Sequence, residues 1–137
     1  MSKPKILVID DDESYMELLH EALEEQFEVN SVYSTQAADN LFNDGYVCDI
    51  ALVDEFLGDD IGSEWIEKRK GVDCKAISYI LYSGLATENA ILKGLECGAD
   101  DFLSKPISLN ALNKKLLTLL DYHKNISNFE VELASKD

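Results

Sequence analysis

Ile6-Leu7-Val8-Ile9-Asp10-Asp11-Asp12-Glu13 decides the fold. Four apolar residues, an apolar run that no other stretch of the chain exceeds, lead directly into four carboxylates. A short, continuous apolar run suits a strand buried on both faces, as in a parallel sheet covered by helices. An acidic cluster immediately behind such a strand sits at its carboxyl end, where open α/β sheets bind their ligands.

Working outward, runs of the same kind recur at Val29–Tyr33, Ile50–Val53, Ile77–Tyr82 and the short Phe102–Leu103. Segments with helical period lie between them. Tyr15, Leu18, Leu19, Ala22 and Leu23 make an i, i+3, i+4, i+7, i+8 stripe, with Glu17, Glu21, Glu24 and Glu25 on the other face. A second helix is predicted over Thr35 to Asn43, closed by Gly45, and a third over Gly62 to Lys70, stopping at Gly71. The fourth covers Glu88 to Cys97, with Thr87 as N-cap and Gly98 as stop. The fifth follows Pro106, with Ser108 as N-cap, and carries Leu109, Leu112, Leu116, Leu119 and Leu120. Strands alternating with helices of about ten residues read as βα units on a parallel sheet. The expectation is one α/β domain over residues 1–123. Residues 124–137 are polar, with Ile126, Phe129, Val131 and Leu133 scattered among them. A frayed tail, an extended fifth helix and the start of a linker all fit that pattern.

The chain has 137 residues, of which 46% are apolar and 28% charged, an ordinary composition for one globular domain. Twelve basic residues face 27 acidic ones, for a net charge of −15. That balance repels phosphate backbones and anionic lipid, so neither a nucleic-acid nor a membrane partner is expected. It suits solubility, a divalent cation or a basic partner. No apolar run is long enough for a membrane span or a signal peptide, so a cytoplasmic protein is expected. Cys48, Cys74 and Cys97 are odd in number and widely spaced, which points to reduced, buried thiols rather than a disulfide framework or a zinc cluster.

The other strand ends carry chemistry as well. The third strand ends in Asp54-Glu55, the fourth in Ser83-Gly84 and the fifth in Ser104-Lys105-Pro106. Carboxylates crowded in a cleft raise one another's pKa unless a cation neutralises them, and a hard divalent ion with oxygen ligands does so. Helix capping and the macrodipole are the competing account, and they suit Asp12 and Glu13 better than they suit Asp54, which ends an apolar strand. Lys105 places a cation over the same strand ends, and its bond to Pro106 is a candidate cis peptide. Ser83 and Gly84 offer a hydroxyl and an unobstructed backbone N–H to an anionic oxygen. His20 and His123 read as surface residues, and Tyr15 and Trp65 as helix packing.

Together these motifs resemble the receiver domain of the two-component response regulator family. Ile6-Leu7-Val8-Ile9-Asp10-Asp11-Asp12 matches its first strand and acidic pair, and Ala51-Leu52-Val53-Asp54 its phosphoacceptor strand. Ser83-Gly84 matches its hydroxyl and small residue, and Gly98-Ala99-Asp100-Asp101-Phe102-Leu103-Ser104-Lys105-Pro106 its fifth-strand motif. The resemblance implies a flavodoxin-like, doubly wound, five-stranded parallel sheet of order 2-1-3-4-5 with helices on both faces. It implies Mg²⁺ held by Asp10, Asp11, Asp54 and the backbone carbonyl of Phe56. Asp54 would accept a phosphoryl group from a histidine kinase or phosphotransfer protein. Ser83, the Gly84 N–H and Lys105 would hold the transferred oxygens. Phe102 would turn inward when Ser83 moves. The fourth helix, fifth strand and fifth helix would form the contact surface for an output partner or a second copy. Such a protein is a switch that assists its own phosphorylation and dephosphorylation, not an enzyme acting on a separate substrate. Positioning and charge stabilisation supply most of the catalysis of phosphoryl transfer, which suits this residue set.

Two departures from the family pattern matter. Gly58 stands where a proline is usual, so a more mobile loop is expected after the phosphoacceptor strand, and Ser83 stands where threonine is commoner, which keeps the hydroxyl. The resemblance also implies that the residues two after the phosphoacceptor and two after the hydroxyl residue flank the path of the hydrolytic water; here they are Phe56 and Leu85, both bulky and apolar, so slow hydrolysis of the phosphorylated state is expected. Two rival readings remain. One is a pseudo-receiver that works without phosphate, which the complete set Asp10, Asp11, Asp54, Ser83 and Lys105 disfavours. The other is a small Mg²⁺-dependent phosphohydrolase, for which Asp10 and Asp12 mimic a DxD motif but the chain is short.

Overall fold

A computed structural model describes residues 3–72, 77–84, 87–106 and 108–121. The expectations for Cys74, Leu85, His123 and the 124–137 tail lie outside these residues.

Five parallel strands form the main sheet: β1 (Lys5–Ile9), β2 (Glu28–Val32), β3 (Ile50–Asp54), β6 (Ser78–Ser83) and β7 (Asp101–Ser104). Between β3 and β6 the chain forms a small ribbon from β4 (Phe56–Leu57) and β5 (Asp60–Ile61). The sheet order is β2-β1-β3-β6-β7, which is the expected 2-1-3-4-5 once the ribbon is set aside. The helices are α1 (Glu13–Leu23), α2 (Thr35–Asn43), α3 (Gly62–Val72) and α4 (Glu88–Glu96), followed by a helix α5 over residues 109–121.

Period-two alternation explains why the central strands β1, β3 and the middle of β6 read as unbroken apolar runs, each face of the sheet having its own core, whereas the edge strand β2 carries Asn30 and Ser31 and is only partly buried. Leu7, Ile9, Ala51, Val53, Tyr79 and Leu81 pack with Ala38 of α2 and with Trp65 and Ile66 of α3. Ile6, Val8, Ile50, Leu52, Ile80 and Tyr82 pack with Met16, Leu19 and Leu23 of α1 and with Leu112 and Leu116 of α5. Among the described residues, no helix is long and apolar enough to cross a membrane. Cys48 and Cys97 are buried.

The structure revises three details. The buried face of α1 is Met16, Leu19 and Leu23, and Leu18 is 52% exposed, because one step along a helix turns a side chain by about 100°. α3 runs through Gly71 to Val72 instead of stopping at the glycine. The segment after β3, expected only as a loop, forms a short hairpin. Leu57 pairs with Asp60 across a two-residue turn, and Gly58 supplies the positive φ, +64°, that such a turn needs at its first position. The ribbon is tied at both ends. Gly62 N–H donates to Glu55 O at 2.8 Å, and Thr35 Oγ1, in α2, donates to Asp60 Oδ2 at 2.6 Å.

Candidate functional site

Register brings the chemistry to one edge of the sheet. Ile9 pairs with Val53, Asp54 with Tyr82 and Ser83 with Ser104, so Asp10, Asp54, Ser83 and Lys105 emerge side by side. Carboxylate oxygens of Asp10, Asp11 and Asp54 lie within 4.8 Å of one another. Lys105 reaches over them, with Nζ 3.3 Å from Asp10 Oδ2 and 3.4 Å from Asp54 Oδ2. The Lys105–Pro106 bond is cis.

The acidic run after β1 divides its labour. Asp12 is the N-cap of α1, accepting the Tyr15 N–H at 3.1 Å, and Glu13 opens the first turn. Both therefore follow the capping account. Asp10 is fully buried, with Oδ1 accepting the Asp12 N–H at 3.0 Å and Oδ2 accepting from the Tyr82 hydroxyl and from Lys105. Asp11 is exposed at the mouth of the site.

Asp54 is 7% exposed, and burial followed by the charge of Asp10 pushes its carboxyl up from 3.8 to about 6, against the pull of Lys105. Burial and Asp10 likewise push the Tyr82 hydroxyl up. Three carboxylates therefore meet one ammonium among the described residues. That is an oxygen-only, anion-rich set suited to a hard divalent cation that also keeps waters and phosphate oxygens.

Ser83 is buried at the end of β6, and its carbonyl accepts the Lys105 N–H at 2.8 Å. Ser83 and the half-buried Phe102 line one cavity of about 120 Å³ with Glu55, Phe56, Ile61, Ala90 and Lys93. Gly94 of α4 lets the Phe102 ring in close; a Cβ there would lie 2.9 Å from Phe102 Cδ2. Gly84 is exposed beside the site, and the Phe56 side chain is 50% exposed on the ribbon.

Sequence reasoning missed three residues. Tyr82 reads as the last apolar residue of a strand, yet its hydroxyl reaches Asp10 and its ring lies 4.4 Å from Lys105 Nζ. Tyr15, expected to serve only packing, flanks the same ammonium at 5.2 Å. Glu55 is buried beside Asp54, with Oε1 accepting the Ser63 N–H at 2.8 Å at the start of α3.

The response regulator receiver domain model matches residues 6–117. The photosynthetic apparatus regulatory protein RegA of Rhodovulum sulfidophilum is 32% identical over 117 residues, which cover 84% of this chain and 62% of that protein. The transcriptional regulatory protein GltR of Pseudomonas aeruginosa is 34% identical over 123 residues, covering 84% of this chain and 48% of that protein. The chain thus spans about half to three-fifths of the length of these curated relatives. A CheY-like response regulator receiver domain protein from Methanospirillum hungatei JF-1 superposes with a TM-score of 0.82 at 26% identity, over 90% of this chain and 98% of that one.

Proposed function

The chain belongs to the response regulator receiver domain family, and from that membership we propose that it is a phosphorylation switch whose acceptor is Asp54. The observation that carries the reading is the convergence of the Asp10, Asp11 and Asp54 carboxylates within 4.8 Å, with Lys105 Nζ 3.4 Å from Asp54. Receiver domains bind Mg²⁺ at an acidic pocket, and here Asp10, Asp11, Asp54 and the Phe56 carbonyl would hold it. When bound, the cation neutralises the cluster and the incoming phosphoryl oxygens.

The remaining work falls to the chain itself. The donor is a phosphohistidine on a histidine kinase or phosphotransfer protein. An Asp54 carboxylate oxygen bonds to phosphorus as the nitrogen–phosphorus bond breaks, and the electron pair leaves with the imidazole. Lys105 stays paired with the anionic product. The Ser83 hydroxyl and Gly84 N–H hold the transferred oxygens. As the hydroxyl moves toward them, Phe102 follows into the cavity that it shares with Ser83. The change is read on the face of α4, β7 and α5 by an output partner or a second copy, in the cytoplasm where response regulators typically act.

Two incubations test this. The protein is mixed with a histidine-phosphorylated donor or acetyl phosphate, with Mg²⁺ or with a chelator, and its intact mass is followed. One added phosphoryl group that depends on Mg²⁺ is expected. No addition from either donor would refute the switch.

A further inference from the structure

We propose that Tyr82 is a positioning residue that holds Asp10 in a closed, hydrogen-bonded arrangement and thereby weakens the affinity of the site for Mg²⁺. The inference rests on the metal reading above and concerns a residue outside the ligand set. Asp10 is 0% exposed and receives three donors: the Asp12 N–H at 3.0 Å on Oδ1, and the Tyr82 hydroxyl and Lys105 Nζ on Oδ2. A buried carboxylate with those partners is already satisfied. A cation that engages Oδ2 must take the place of a donor already seated there.

Tyr82 also places its ring 4.4 Å from Lys105 Nζ. One side chain thus steadies the carboxylate through its hydroxyl and the ammonium through its ring face. Tyr82→Phe separates the two roles. It keeps the ring, the packing on the α1 and α5 side of the sheet and the contact to Lys105, and deletes only the hydroxyl. The deletion leaves a buried carboxylate short of a donor in the metal-free state, a loss that is large for a charged acceptor. The metal-bound state would lose less, because a cation held by the cluster would itself compensate the Asp10 charge. The difference between the two states appears as tighter binding.

The test is calorimetric titration of Mg²⁺ into wild type and Tyr82→Phe at neutral pH, with thermal unfolding of the metal-free proteins. Tyr82→Phe should bind Mg²⁺ about tenfold more tightly, equivalent to about 1.4 kcal/mol, and melt lower without metal. A merely structural tyrosine would leave affinity unchanged or lower it. Equal or weaker binding in Tyr82→Phe, with wild type binding normally, overturns the role of the hydroxyl alone. No binding by either protein overturns the metal reading and this inference with it. If the variant does not fold, the tyrosine ultraviolet difference spectrum of Tyr15→Phe on adding Mg²⁺ decides. With Tyr15 removed, Tyr82 is the tyrosine left at the acidic cluster among the described residues, so a change supports release of its hydroxyl and a flat spectrum overturns the inference.

Discussion

Replacing Asp54 by asparagine should stabilise the metal-free fold at neutral pH, although it removes the group proposed to carry the signal. Burial and Asp10 raise the Asp54 carboxyl from 3.8 to about 6. The folded chain then holds this proton more tightly than the unfolded chain does. The stability contributed by Asp54 is therefore complete below about pH 4 and is lost as pH rises toward about 6. A gap of about two pH units, at roughly 1.36 kcal/mol each, sets a ceiling of about 3 kcal/mol. Asparagine keeps the shape and cannot ionise, so the variant escapes that loss. Urea unfolding of both proteins in chelator, at steps between about pH 4 and 8, reads the difference for the Asp54 cluster, because groups away from it cancel. The advantage of Asp54→Asn should be small at the acid end, grow through pH 4–6 and level off above it. Saturating Mg²⁺ should then stabilise wild type more than the variant. A difference independent of pH, or a wild type more stable than the variant at pH 7 without metal, would refute the electrostatic reasoning.

Three further outcomes are expected. Asp11→Ala should lose Mg²⁺ affinity by tenfold or more while unfolding at nearly the wild-type urea concentration, since Asp11 is exposed and Asp12 is the α1 cap; unchanged affinity in calorimetry would reduce the cluster to a helix start. Gly62→Ala should cost about 3 kcal/mol, because its Cβ would lie 2.2 Å from the backbone oxygen of Asp54 and the β3–α3 junction has to shift; an unaltered unfolding midpoint would contradict that packing. Once the protein is loaded with phosphate and freed of donor, Phe56→Asn/Leu85→Glu should shed it about ten- to a hundredfold faster, equivalent to ~1–3 kcal/mol of barrier. Equal decay would show that these side chains do not set the lifetime.

The sheet was legible because the central strands, buried on both faces, leave continuous apolar runs, and four of the five strands lead into the residues that the register later aligns: Asp10, Asp54, Ser83 and Lys105. Tyr82 was not legible. Its contact with Asp10 depends on β3 lying between β1 and β6, with Asp54 paired to Tyr82, and no local pattern encodes that. The β4–β5 ribbon is too short for a period, although Gly58-Asp59 between Leu57 and Ile61 is a hairpin signal that outweighs the absent proline. Glu55 reads as one acid among many, and only the fold shows that it is 6% exposed and caps α3. The predicted α1 stripe has the right face at Tyr15, Leu19, Ala22 and Leu23, which pack on the sheet, and errs only in counting Leu18 and omitting Met16, because periodicity fixes the rotation of a helix to within about a residue and the sheet sets the rest.

Asp54 alone is proposed to receive the phosphoryl group. The most direct measurement is the intact mass of wild type and Asp54→Asn after incubation with acetyl phosphate and Mg²⁺. One added phosphoryl group is expected on wild type and none on Asp54→Asn. The same gain on the variant would contradict the assignment to Asp54, and no gain on wild type would point to a module that works without phosphate.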